Sequence, residues 1–176
     1  MIAPLQSFGR ASSATARVLT PDHATALLRS GRVADGSLLA YGNGRSYGDT
    51  CQNATGALID MRYSNRLMSF DPATGILEAE AGVLLSDIIA MTAGQGFFPP
   101  VVPGTRFVTL GGAIANDIHG KNHHLRGTFG AHVAWLTLLR SDGRMLRCSP
   151  TENAELFAAS IGGMGLTGLI LTAAIR

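Results

Sequence analysis

The residues able to do chemistry gather in three short stretches. The first, "YGNGRSYGDT" (41–50), sets Gly42, Gly44 and Gly48 among polar residues, directly after an apolar run, "GSLLA" (36–40). Backbone amides can turn together toward an anion where glycine removes the Cβ obstacle. Ser46 can add a hydroxyl donor, and Arg45 can pair with a phosphate or hold the loop through Asp49. On this stretch alone, a phosphate cradle and a tight turn that binds nothing are equally good readings. A Rossmann dinucleotide site fails on spacing, because the glycines run G-x-G-x-x-x-G and a polar loop, "DTCQNATG", follows. G-x-G-x-x-G does occur at Gly163, Gly165 and Gly168, but between a predicted helix and a predicted strand. There it has no helix N-terminus to face a pyrophosphate and no acidic residue downstream for a ribose. A phosphate-binding G-x-x-x-x-G-K-[ST] does not occur.

The second stretch, "PGTRFVTLGGAIANDIHGKN" (103–122), carries Gly104, Gly111, Gly112 and Gly120. Leu110, Ile114 and Ile118 are spaced for one buried helical face. The first turn of that helix is expected to present free amides near Thr109 and Gly111, a favourable place for phosphate. Two separated glycine turns in one small domain suit a long dinucleotide. The third stretch, "HGKNHH" (119–124), places His119 and His123 four apart beside His124. That spacing can bind zinc on a helix, but Gly120 weakens a helix there and no third ligand follows, so no metal is expected. Histidines bonded to the loop backbone remain an alternative to a cofactor role.

These stretches need elements to position them. Thr20 reads as an N-cap, with Pro21 at the first helical position, Ala24, Leu27 and Leu28 on one face and Gly31 at the stop. "SLLAYG" (37–42) and "GALIDM" (56–61) read as buried strands. "LMSFDPATGILEAEAG" (67–82) reads as a hairpin turning at "DPATG". A helix is predicted over 84–96, an irregular proline-rich segment over 97–105 and a short helix over 109–118. A second hairpin spans 131–150 with Asp142-Gly143 at its tip. A short helix over 153–160 and a strand over 168–176 complete the order. Hairpins and short helices after one strand–helix–strand unit mean α+β, not a continuous parallel winding.

Composition narrows the function. The chain has 176 residues, 46 % hydrophobic and 15 % charged, with a formal net charge of +2. That is enough for one well-buried domain, and no basic stripe suits nucleic acid. Cys51 and Cys148 form no CxxC pair and are expected to be reduced and structural. His132, at the edge of a predicted strand, is expected to be structural, and Trp135 to pack in the core. No secretory leader is read at the N-terminus, and the apolar stretch 166–175 is too short to span a bilayer.

Taken together, "GNGRSYGD", "PGTRFVTLGGAIANDIHGKNHH" and "GGMGLTGLI" resemble the FAD-binding domain of the vanillyl-alcohol-oxidase/p-cresol-methylhydroxylase (PCMH) superfamily, and within it the decaprenylphosphoryl-ribose oxidases. The resemblance covers residues 14–176 and leaves 1–13 as a tail. It implies two α+β subdomains with FAD extended between them. By position it implies that Ala40, Tyr41, Gly42, Asn43, Gly44, Arg45, Ser46, Tyr47, Gly48, Asp49 and Thr50 wrap the pyrophosphate. Gly104 would lie by the flavin, and Thr109, Leu110, Gly111 and Gly112 would continue the cradle. Asn116, Asp117, Ile118 and His119 would line the cofactor, and Ile170 would pack near its adenosine end or in the core around it. The implied catalytic residues are His119, beside the isoalloxazine, and Lys121, near the flavin pyrimidine edge or the substrate.

The resemblance also implies chemistry. Many relatives carry a histidine where this chain has Tyr47 and attach the flavin covalently through it. A phenol, with pKa about 10, is a poor candidate for that bond, so dissociable FAD is expected. The implied reaction is oxidation of a sugar hydroxyl, with a polyprenyl-phosphate sugar or another small molecule as substrate. An aldonolactone or alditol oxidase, or a non-catalytic FAD-binding module, are the alternatives. A substrate domain is expected from a C-terminal continuation or a second chain. A cytoplasmic location is expected, with any membrane association arising through a lipid substrate.

Overall fold

The structure, a computed structural model, describes residues 2–10, 13–31 and 37–176. The first sheet holds β1 (Ile2–Gln6), β2 (Ser13–Leu19), β3 (Leu38–Tyr41) and β4 (Ala57–Asp60), in the order β1-β2-β4-β3. β1 runs antiparallel to β2, while β2 and β3 both run parallel to β4. Helix α1 (Pro21–Arg29) makes the crossover from β2 to β3. Its cap is the one the sequence predicts: Thr20 Oγ1 accepts from the His23 amide at 3.3 Å, and Gly31 leaves the helix at φ +67°. β4 is buried at every position, which is why its run "ALI" shows no alternation. The segment set aside as a tail, 1–13, instead supplies β1 and the start of β2.

The second sheet is fully antiparallel. It holds β5 (Leu67–Asp71), β6 (Ile76–Glu80), β7 (Val133–Leu139), β8 (Met145–Cys148) and β9 (Leu169–Ile175), in the order β5-β6-β9-β7-β8. Both predicted hairpins form. Asp71 closes the first by accepting from the Ala73 amide at 2.9 Å and the Thr74 hydroxyl at 2.7 Å. β9 inserts between the two hairpins and joins them. Helices α2 (Leu85–Thr92), α3 (Leu110–Ala115) and α4 (His123–Arg126) lie between β6 and β7 in the chain, and α5 (Ala154–Ser160) between β8 and β9. The predicted helix over 109–118 is shorter than expected, because Asp117 takes a left-handed φ of +41° and ends it.

One apolar core runs through both sheets. Ile59 and Met61 of the first unit join Leu77, Leu85, Leu110, Ile114, Leu136 and Leu138 of the second. Each such side chain contributes about 1.5–3 kcal/mol by leaving water. A smaller cluster, Ala16, Tyr41, Cys51 and Leu58, lies apart from this core in the first sheet and the loop after β3. Cys51 and Cys148 are free and buried, and burial pushes both thiols above their ordinary pKa. Among the described residues, no helix is long and apolar enough to cross a membrane.

Candidate cofactor site

The glycine loop leaves β3 at Tyr41 and is gripped from two sides. On one side, Asn43 Nδ2 donates to Phe107 O at 2.8 Å, and a Cβ on Gly42 would lie 2.5 Å from Thr109 Oγ1. On the other, the Phe8 amide donates to Ser46 O at 3.0 Å and the Tyr41 hydroxyl to Gln6 O at 3.0 Å. Gly44, at φ +60°, fits between: its Cβ would be 2.4 Å from both Gln6 O and the Tyr41 hydroxyl. Among the described residues, none of the successive amides from Asn43 to Tyr47 donates to another chain atom. Such a run of unspent donors fits an anionic ligand. Arg45 makes no ion pair with Asp49 among the described residues, so its charge is not consumed in the loop.

The second glycine turn behaves differently, and here the structure corrects the expectation of free amides. The Leu110 amide donates to Val83 O and the Gly111 amide to Ala81 O, both at 2.7 Å, while Gly112 donates to Thr109 Oγ1 at 3.2 Å. The first turn of α3 therefore has no amides to spare. Its glycines serve close packing: a Cβ on Gly111 would meet Ala81 Cβ at 2.8 Å.

Between the loops opens a cavity of about 690 Å³, walled by both sheets. It gathers most of the residues singled out in the sequence: Ala40, Gly42, Asn43, Gly44, Arg45, Ser46, Tyr47 and Thr50 from the first loop, and Gly104, Thr109, Gly111, Gly112, Asn116, Ile118 and His119 from the second. Ile170 of β9 lines the same space. Five of the expected cofactor contacts lie off this wall. Tyr41 is buried behind the loop, where burial first, and then the neighbouring Cys51, push its hydroxyl above the ordinary pKa. Leu110 is core, and Gly48 and Asp49 face solvent. Asp117 turns away to accept from the Gly130 amide at 2.8 Å.

Several wall residues escape a reading by motif, among them Phe8, Cys51, Met61, Ala81, Met164 and Gly165. The last two had a signal. The G-x-G-x-x-G at 163–168 is no Rossmann turn, yet it forms part of the cavity wall. It also caps the end of α3: the Gly162 amide donates to Ile114 O at 3.0 Å and the Met164 amide to Ala115 O at 2.8 Å.

His119 and Lys121 part company on either side of buried Gly120. His119 is exposed on the cavity wall, its ring 5.7 Å from that of His123. Lys121 lies instead in a second, shallower depression with Phe98, Pro99, Pro100, Asn122 and Arg126. His123 Nδ1 lies 3.1 Å from Gly120 O, and His132 Nε2 lies 2.8 Å from Arg126 O, so these two rings engage the loop backbone.

Residues 12–149 match the family model described as FAD binding domain. A decaprenylphosphoryl-beta-D-ribose oxidase of Mycolicibacterium smegmatis is 42% identical over 98% of this chain and 38% of its own length. An uncharacterized oxidoreductase of Rhodococcoides fascians is 34% identical over 80% of this chain and 32% of its own. Mouse L-gulonolactone oxidase is 32% identical over 69% of this chain and 27% of its own. The chain thus spans well under half the length of these relatives. With the matched segment reaching from β2 to the end of β8 and taking in both glycine turns, the chain belongs to the FAD-binding domain family.

Proposed function

We propose that the cavity holds FAD without a covalent bond, and that the chain is the FAD-holding part of an oxidoreductase acting on a sugar CH–OH group. The observation that carries the reading is the meeting of Gly42 with Thr109, which brings a loop of unspent amides to one end of a 690 Å³ cavity. Amides 43–47, with Ser46 and Arg45, would hold the diphosphate. Ile170, Ala81 and Met61 would give the apolar part of the cofactor a dry wall. When bound, FAD supplies the two-electron acceptor for a carbinol C–H bond.

His119 would orient the ring from the cavity wall. Tyr47, 78 % exposed at the rim, would offer the cofactor a phenol in place of an imidazole. Lys121 and Arg126 share their depression with Phe98, Pro99 and Pro100. Two cations beside an apolar shelf suit a substrate that joins a phosphate to a hydrocarbon tail. The name of the Mycolicibacterium relative supports the same substrate class.

The protein as purified, or after FAD is added, should absorb near 450 nm, about the usual flavin band. Acid precipitation should leave the colour in the supernatant. Colour retained on the denatured chain would rule out a dissociable cofactor, and no band at all would end the reading. In the absence of oxygen, a polyprenyl-phosphate pentose should bleach the flavin. Bleaching by an aldonolactone instead would favour the second reading, a lactone oxidase, which the mouse relative supports.

A further inference from the structure

We propose that the segment Gln6–Phe8 is a strap that holds the glycine loop in its cofactor-binding shape, with Phe8 as a positioning residue; this rests on the FAD reading above. Among the described residues, no amide from Asn43 to Tyr47 donates to a chain atom, so the loop's shape must be imposed from outside. The strap does this through its two end residues, Gln6 and Phe8. Gln6 O accepts the Tyr41 hydroxyl at the root of the loop. Ser7, between them in the chain, is buried, 3 % exposed. The Phe8 amide donates to Ser46 O, and the Phe8 ring meets Tyr47 edge to face, with centroids 5.9 Å apart at 89°.

The logic is entropic. Ordering a backbone residue costs free energy, and a loop ordered in advance does not charge that cost to the ligand. Phe8 is 57 % exposed and lines the cavity rim, so its ring adds little to the core. Its position is explained by what it does to Tyr47 and Ser46. The glycines alone are not enough, since they make the loop permissive and leave its conformation open.

The test compares Phe8→Ala, Phe8→Tyr and Tyr41→Phe with the parent protein. FAD affinity is read by flavin fluorescence, and loop order by trypsin cleavage after Arg45 in the FAD-free protein. Phe8→Ala and Tyr41→Phe should each weaken FAD about tenfold and speed cleavage after Arg45, while cleavage after Arg140 stays unchanged. Phe8→Tyr should restore both values. Unchanged affinity and cleavage in both weakened variants would overturn the proposal. So would equal acceleration at Arg45 and Arg140, which would mean general loosening. If Phe8→Ala does not fold, Tyr41→Phe alone decides, because it removes only one hydroxyl. If the parent protein binds no FAD, the functional reading fails, but the Arg45 cleavage still judges the strap.

Discussion

The two glycine turns that face each other across the cavity use glycine for opposite ends. In the turn after β3, amides 43–47 have no chain acceptor among the described residues, and Gly44 makes a left-handed bend under Gln6 O. In the turn before α3, the amides of Leu110, Gly111 and Gly112 all have acceptors, and Gly111 exists to let the helix press on Ala81. One turn is a set of donors without chain acceptors among the described residues; the other is a packing joint. Glycine content alone does not tell them apart, whereas following each N–H to its acceptor does.

The difference can be broken by substitution. Gly44→Ala should have the largest effect, because it forces a positive φ on alanine and a collision with Gln6 O. FAD affinity should fall about a hundredfold, roughly 3 kcal/mol, by fluorescence titration. Unchanged affinity would mean that the first turn is not the gripping one. Gly111→Ala should instead cost about 1–3 kcal/mol of stability by overpacking, read from the urea midpoint. The FAD affinity of its folded fraction should stay as in the parent, and a loss like that of Gly44→Ala would erase the contrast.

Thr109→Ala should cost about 1 kcal/mol of stability through the lost cap on α3, and Thr109→Ser should recover it. The smallest effect is expected from Arg66→Ala, which cuts an exposed pair between the residue before β5 and the end of β6. Burial raises the Glu80 carboxyl pKa, but the hydrogen bonds from Arg66 outweigh it and hold it below its ordinary 4.5. A depressed folded pKa gives stability that is present above that value and lost as pH falls through the lower folded one. The Tm difference between parent and Arg66→Ala should therefore be small at neutral pH and vanish in acid. A difference that grows in acid would contradict this.

Local signals were legible in the sequence. The Thr20-Pro21 cap, the Asp71 turn and the paired strands of both hairpins each depend on a few neighbouring residues, and the structure has them. What could not be read depended on partners distant in the chain. β1 lies in a stretch that reads as tail, because its pairing with β2 has no local mark. The α3 amides looked free because Val83 and Ala81, which satisfy them, lie far upstream. Phe8 carries no motif and reaches the cavity only through the strap. His119 and Lys121 read as one group, since nothing in two residues of spacing says that a buried glycine sends them to different hollows. The residues named for the cavity were found through resemblance and glycine spacing. Those missed were apolar wall residues, which a core and a binding cavity use alike.

The placement of β9 between β6 and β7 has a consequence for how the protein is made. Each hairpin can form as soon as it is synthesised, but each leaves a bare edge until residues 169–175 arrive. Ile170 in that strand also completes the wall of the cavity. The ribosome must therefore deliver β9 before the larger sheet can close, and unpaired edges in the meantime invite wrong partners. A cofactor that needs the finished wall would be taken up only by chains that have passed this point.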